Sequence, residues 1–132
     1  MTINTIRATI EQRIAAEMAL APPYPVHYGN APFNPPNNSP WLDVALRFGD
    51  DAYATVSDFN RQNGVLVINI YAPIGTGAAI AFTIAERVKA LFNRINTGGI
   101  IFQAGNGPSQ VLPASPEAYY QLQVIIPFEA YQ

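Results

Sequence analysis

The sequence predicts one α+β domain with a mixed, largely antiparallel sheet and two helices packed on one face of it. Two segments place apolar residues at steps of three and four, the spacing of one face of a helix. Two other segments alternate apolar with other residues, the spacing of a half-buried strand. The chain has 132 residues, so we expect a single domain over residues 1–132.

The first helix is predicted from the beginning of the chain to Pro22-Pro23. This pair ends it, because proline lacks the amide hydrogen that a continuing helix needs. Asn4 or Thr5 is expected to cap its start. The predicted apolar face consists of Ile3, Ile6, Ile10, Ile14 and Met18.

A short strand and a stiff loop are predicted next. Val26-His27-Tyr28 has the composition of a strand. The segment from Asn30 to Pro40 holds four prolines and four asparagines, which excludes a regular element. Proline fixes its own φ and restricts the residue before it, so we expect an extended loop with little freedom.

The middle of the chain is predicted to form strands separated by turns. Trp41 to Phe48 alternates, and Val65 to Ala72 is rich in β-branched residues on both faces, as in a central strand. Gly49-Asp50-Asp51 is predicted as a turn before a second strand at Ala52 to Val56. Ser57 to Gly64 is polar and is predicted as a mobile hairpin tip.

The last third of the chain is predicted as a helix followed by strands. The helix should run from Ala78 to Asn96, with a strand at Ile100 to Gln103, a loop at Gly105 to Pro116 and a final strand at Tyr119 to Phe128. The predicted helix stripe consists of Ile80, Ile84, Val88, Leu91 and Ile95, with Ala81, Ala85 and Phe92 beside it.

No pattern in the sequence indicates catalysis, so we predict no catalytic residue, no cofactor and no metal site. There is no cysteine, and His27 is the one histidine, so thiolate and transition-metal sites lack ligands. No nucleophile motif surrounds any serine. Gly75-Thr76-Gly77 lies between a strand and a helix, but no lysine follows until Lys89, so a phosphate loop is not predicted.

The charge content indicates which classes of partner to expect. Lys and Arg total 7 without a basic run, which argues against a nucleic-acid-binding face. Charged residues make up only 12%, against about 25% in typical domains, which suggests that part of the surface contacts another subunit. No apolar run approaches the ~18 residues that a membrane helix needs.

Several segments in order resemble the small tail terminator proteins of long-tailed phages. They are the opening helix, Asn30 to Pro36, Trp41 to Val44, and the run Val67 to Gly77, which ends in Tyr-Ala-Pro-Ile-Gly-Thr-Gly. The helix from Ala85 to Phe92 and the closing strand complete the resemblance, which covers nearly the whole chain. It implies a structural protein of the virion tail, made in the host cytoplasm, and no enzyme.

The resemblance also implies partners. These are five further copies of the chain in a hexameric ring, the major tail tube protein and the head–tail connector, with DNA passing through the lumen without specific binding. From the residues themselves we expect partner contacts at a stiff loop and a hairpin tip. The predicted contact residues are Phe33, Asn34, Pro35, Pro36, Phe59 and Arg61.

Two alternatives stay open at the sequence level. One is a small-molecule-binding or enzymatic domain with a pocket near His27, Tyr28 and Tyr71. The other is a different head–tail adaptor or a minor tail protein, which the residue pattern does not separate from a terminator.

Overall fold

The structure, a computed structural model, describes residues 2–29, 31–36, 38–53, 60–75, 78–111 and 119–131. Over these residues the predicted α+β class is confirmed, with two helices and a mixed, mostly antiparallel sheet of seven strands. The helices are α1 (Ile3–Met18) and α2 (Ala79–Phe92). The strands are β1 (Val26–Tyr28), β2 (Trp41–Tyr53), β3 (Asn60–Pro73), β4 (Asn96–Thr97), β5 (Ile100–Phe102), β6 (Asn106–Gln110) and β7 (Tyr119–Tyr131).

The sheet is built around two long central strands. Its order is β1-β2-β3-β7-β5-β4, and β6 pairs with β7 beside β5. β1 runs parallel to β2, and every other pairing is antiparallel. β3 pairs along its whole length with β7, which makes these two strands the centre of the fold.

Both helices contribute to one hydrophobic core on one face of the sheet. α1 buries four residues at steps of four from Ile6 to Met18, as its spacing predicts. Ile3 was expected in this stripe but is 49% exposed, because it occupies the first helical position. The N-cap is Thr2, whose hydroxyl accepts from the amide of Thr5 at 3.1 Å; Asn4 and Thr5 lie inside the helix.

The second helix is shorter than predicted, and its predicted face is confirmed at Ile84 and Val88 and at the flanking Ala81, Ala85 and Phe92. It ends at Phe92 because Asn93 is extended and Arg94 has a φ of 55°, which leaves Ile95 outside. Ile80, predicted as buried, is 36% exposed. The buried residues are Ala81, Ile84, Ala85, Val88 and Phe92.

The predicted turn at Gly49-Asp50-Asp51 is wrong. β2 continues through it, and a β-bulge between Phe48 and Asp51 takes up the extra residue. The side-chain amide of Gln62 donates to the carbonyl of Gly49 at 2.9 Å and holds the bulged segment to β3.

The predicted hairpin tip is also displaced. Residues 60–64 belong to β3, and Arg61, Gln62 and Gly64 pair with both β2 and β7. A polar sequence is tolerated there because Arg61 and Asn63 are only half-buried and the buried Gln62 donates to the carbonyls of Gly49 and Asn63. Phe59 and the rest of residues 54–59 lie outside the described residues.

Part of the predicted loop from Gly105 to Pro116 is a strand. Residues 106–110 form β6 against β7, with a register shift between Asn106 and Ser109. The ammonium of Lys89 on α2 donates to the carbonyl of Gly107 at 2.7 Å, which ties β6 to the helix. Residues 112–118 of this predicted loop lie outside the described residues.

Candidate partner-binding surface

The face of the sheet opposite the core carries a group of aromatic rings. Leu42 and Ile70 are buried in the core, so their neighbours Trp41 and Tyr71 point to the other face. We define the aromatic cluster as His27, Phe33, Trp41, Tyr71 and Tyr119. It brings together β1, β2, β3, β7 and the segment 31–36.

Trp41 is the centre of the aromatic cluster. Its ring stacks on Tyr71 with centroids 4.2 Å apart and an interplanar angle of 14°. Phe33 lies 5.2 Å from Trp41, and Tyr119 meets it edge-on at 5.8 Å. Such offset and edge-to-face pairs contribute about 0.5–1.5 kcal/mol each beyond the area they bury. Trp41 is only 6% exposed as a result.

The aromatic cluster holds the proline-rich loop 31–36 at three points. The hydroxyl of Tyr119 donates to the carbonyl of Pro36 at 2.8 Å. Nε2 of His27 lies 3.2 Å from the carbonyl of Ala31, and the ring of Phe33 lies between His27 and Trp41. The expected stiffness of this loop therefore has two sources, the prolines themselves and the contacts beneath them.

His27 is occupied by contacts within its own chain. Nδ1 lies 2.8 Å from Oδ1 of Asp43, its register partner on β2, while Nε2 faces Ala31. Both ring nitrogens thus lie within hydrogen-bonding distance of an oxygen of the same chain. Among the described residues neither nitrogen has a serine or threonine hydroxyl as partner, and the two contacts orient a loop and a strand.

The alternative pocket near His27, Tyr28 and Tyr71 is not formed by these three side chains together. His27 and Tyr28 are neighbours in β1 and point to opposite faces of the sheet. Tyr28 packs against the core, whereas Tyr71 belongs to the aromatic cluster on the other face.

The predicted contact residues that the structure describes fall into two separate places. Phe33 and Pro36 are half-buried on the aromatic cluster, and Asn34 and Pro35 are exposed between them. Arg61 lies ten residues from Tyr71 along β3, which is roughly 33 Å at ~3.3 Å per residue. Its guanidinium is 3.8 Å from the carboxylate of Glu129 on β7.

The residues that sequence reasoning missed are the ones beneath the loop. Trp41, Tyr71 and Tyr119 were predicted as strand residues, and Tyr71 also as part of the alternative pocket, but none was predicted to lie beneath the loop. Their role depends on the register, which places Trp41 opposite Tyr71 and Tyr119 opposite Pro73. Aromatic residues at strand ends that follow or precede a proline-rich loop were the signal available in the sequence.

A row of hydrogen-bonded polar side chains, Asn69, Gln121 and Gln123, separates the aromatic cluster from the rest of this face. The side-chain carbonyl of Asn69 accepts from Gln121 at 3.0 Å and from Gln123 at 3.1 Å. Gln121 is buried. A buried amide costs little when its hydrogen bonds are made, so the row fixes the alignment of β3 and β7.

Two tyrosines have perturbed ionisation. Burial, and secondarily the carboxylate of Asp43, raise the pKa of Tyr71 above 10.0. Burial, and secondarily Glu11, raise the pKa of Tyr28. Both hydroxyls are thus held in the neutral form, which suits packing and hydrogen bonding.

The described part of the chain shows neither a metal-binding cluster nor a helix that could span a membrane. It contains no group of three or more His, Cys, Asp or Glu residues arranged to hold a metal ion. Neither α1 nor α2 has the length and apolar character that crossing a membrane requires.

Comparison with known proteins gives one family and one fold. A family model described as phage tail terminator protein matches residues 5–128. One solved structure, whose name describes no function, aligns with 98% of this chain and 96% of its own at a TM-score of 0.71 and 23% identity. That identity shows a shared fold alone. The curated proteins contain no match to this sequence.

Proposed function

Since this chain belongs to the phage tail terminator protein family and is thus a structural protein of the phage tail, we propose that it forms a six-subunit ring. The ring caps the tail tube, stops its polymerisation and joins the tail to the head–tail connector. The observation that carries the proposal is the extent of the family match, residues 5–128. The match includes all of α2 and the aromatic cluster, and all of α1 except its first two residues.

The loop 31–36 supports a role in docking. Asn34 and Pro35 are exposed on a segment that the aromatic cluster already holds in place. A segment ordered before binding loses less conformational entropy on docking, so its contacts translate more fully into affinity. We propose that this loop contacts a neighbouring subunit or the tube.

The composition supports a ring around DNA. A closed ring needs a heterologous interface, in which two different surfaces of each copy meet. The scarcity of charge suits such surfaces, and a net charge of −2 suits a lumen that DNA traverses without binding.

The proposal is tested by assembly. We expect the purified protein, alone or on contact with terminator-free tails, to assemble into a species near six times the 14.4 kDa chain mass, measured by light scattering and native mass spectrometry. Phage lacking the protein should make overlong tubes without heads, visible by electron microscopy. Tails of normal length in its absence would contradict the proposal.

The same images separate the other structural alternative. A head–tail adaptor or minor tail protein would leave tube length normal while heads or fibres are missing. For the enzymatic alternative, His27→Ala is informative, because it removes the one histidine. We expect it to loosen the loop 31–36 modestly and leave assembly broadly intact. Loss of function with fold and oligomer preserved would favour a chemical role for His27.

A further inference from the structure

One edge of β2 has a neighbouring strand, β1, only along its first residues. β1 pairs with β2 only at residues 42–44, and no described strand pairs with that side of β2 after Val44. The flat part of the open edge ends at Phe48, where the bulge begins. The free edge therefore consists of residues 45–48.

The backbone of the free edge presents donors and acceptors that no described strand pairs with. The amide of Leu42 donates to the carbonyl of Pro25 at 3.0 Å, which shows that Leu42 turns its backbone groups outward, toward β1. Backbone groups alternate along a strand, so Leu46 and Phe48 direct theirs to the same side, where β1 has ended. Such an edge is a template for one more strand.

An apolar groove adjoins the free edge on the core side of the sheet. Its volume is about 560 Å³, and the first turns of α1 form its other wall. Leu46 and Phe48 are half-buried in it, and Ile3, Arg7 and Glu11 lie along the helix side, where Arg7 and Glu11 pair at 2.8 Å. Ile3 is exposed outside the core, so an apolar side chain of a bound segment that enters this groove would pack against it.

The other face beside the free edge is cationic. Arg47 lies between Leu46 and Phe48 and points to the face opposite the groove. It is exposed and makes no ion pair with any described residue. A strand added here places two side chains in the apolar groove and the one between them beside Arg47. The complementary segment is therefore apolar–acidic–apolar.

A second copy offers no such segment in its strands β1, β4 and β6, and its own free edge, residues 45–48, carries Arg47 where an acidic residue is needed. β1 has three residues, Val26–Tyr28, and β4 has two, Asn96–Thr97. β6 contains Pro108, which has no amide to donate. None of these three strands carries an acidic residue.

We propose that the free edge of β2 binds an extended apolar–acidic–apolar segment of a tail tube subunit as an added strand. The choice of a tube subunit rests on the proposed function, while the chemistry of the segment rests on the edge, the groove and Arg47.

The first test uses a peptide and does not depend on the proposed function. The probe is the capped heptapeptide Thr-Thr-Val-Glu-Val-Thr-Thr, compared with the same peptide carrying Lys in place of Glu. We expect the Glu peptide to shift the NMR amide signals of Leu46 and Phe48 and to bind at least tenfold more tightly than the Lys peptide. Equal binding of both, or shifts confined to other residues, would overturn the proposal.

The second test uses terminator-free tail tubes and the full chain. We expect Arg47→Glu to weaken co-sedimentation with tubes at least tenfold. The control Arg94→Glu makes the same charge change in the turn after α2 and should stay within twofold of wild type. Ile3→Asp, which places a charge in the groove, should act in the same direction as Arg47→Glu.

The outcomes separate the two ideas. If the wild-type protein does not bind tubes, the proposed function fails. The peptide experiment then still shows whether the free edge binds an apolar–acidic–apolar strand. If the wild type binds and Arg47→Glu binds equally well, the proposed strand addition fails. If Arg47→Glu abolishes the ring while its monomer stays folded, the edge is a contact between copies, which also overturns the proposal.

Discussion

Trp41 and Tyr71 face each other across β2 and β3, and their rings stack with centroids 4.2 Å apart. Trp41 is the only tryptophan in the chain. Its fluorescence therefore reports on the aromatic cluster and, through Phe33, on the loop 31–36. This contact makes the state of the proposed docking loop measurable in solution.

The first prediction concerns alkaline pH. Burial, then Asp43, raise the pKa of Tyr71 above 10.0, so the unfolded chain loses the tyrosine proton before the folded chain does. The stabilising effect of the neutral form is complete below about pH 10 and is lost as pH rises through the folded pKa. We expect the free energy of unfolding to fall as pH rises above about 10. Urea titrations followed by Trp41 fluorescence measure it.

Tyr71→Phe should reduce this fall, because the remaining ring cannot ionise. Tyr28, whose pKa is raised mainly by burial, contributes in the same direction. If Tyr71→Phe and wild type lost stability with the same slope, Tyr71 would not be the group responsible.

The second prediction concerns the hydrogen bond that closes the loop. Tyr119→Phe removes the donor to Pro36 and keeps the ring in the aromatic cluster. We expect a loss of about 0.5–1.5 kcal/mol in the free energy of unfolding, the usual net value of one hydrogen bond. Amide exchange of Ala31, Phe33 and Asn34, the residues of the loop that carry an amide hydrogen, should quicken.

The matched control is Tyr120→Phe. Tyr120 is next in β7, packs against the core, and its hydroxyl has no partner among the described residues. A similar stability loss in both variants would mean that the Tyr119–Pro36 bond is not what fastens the loop.

The third prediction concerns Phe33 as a docking anchor. Phe33 is half-buried, so Phe33→Ala should cost about 1–2 kcal/mol of folding stability, less than a fully buried ring. If it also anchors a partner, ring or tube association should weaken at least tenfold more than this loss explains. Light scattering measures ring association and co-sedimentation measures tube association. Both are carried out at temperatures below the onset of unfolding.

Phe82→Ala is the comparison variant for Phe33→Ala. Phe82 is an aromatic residue on the outer side of α2 and is 39% exposed. Assembly losses of equal size in both variants would remove the special role of the loop. A Phe33→Ala protein that assembles normally once folded would show that Phe33 serves only its own chain.

The fourth prediction concerns Gly64, which lies between Phe48 and Phe128 across the sheet. Their rings meet edge-to-face at 5.9 Å, and a Cβ on Gly64 would lie 2.5 Å from the ring of Phe128 and 2.9 Å from the carbonyl of Arg47. We expect Gly64→Ala to cost about 1–3 kcal/mol, because ring and backbone must shift.

Gly49→Ala is the control, because its added Cβ would lie 3.7 Å from the nearest atom. We expect its effect to stay within about 0.5 kcal/mol. Equal thermal unfolding midpoints for the two variants would show that Phe128 moves aside freely.

The sequence predicted most of what depends on near neighbours in the chain. The burial of Ile6, Ile10 and Ile14 followed from their spacing, and the strands β2, β3 and β7 followed from alternation and β-branched content. That residues 31–36 form neither helix nor strand followed from their prolines. Each signal lies within a few residues, where backbone geometry alone decides which side chains share a face.

Tertiary structure decided what depends on pairing between distant segments. The polar residues 60–64 form a strand because β2 and β7 lie on both sides of them, and the turn signal at Gly49 became a bulge for the same reason. The aromatic cluster requires Trp41 opposite Tyr71, a register that no local pattern states. The free edge of β2 exists because β1 ends at Tyr28, opposite Val44. Strand order and register are set by the packing of the whole sheet, so they lie beyond what periodicity along one segment determines.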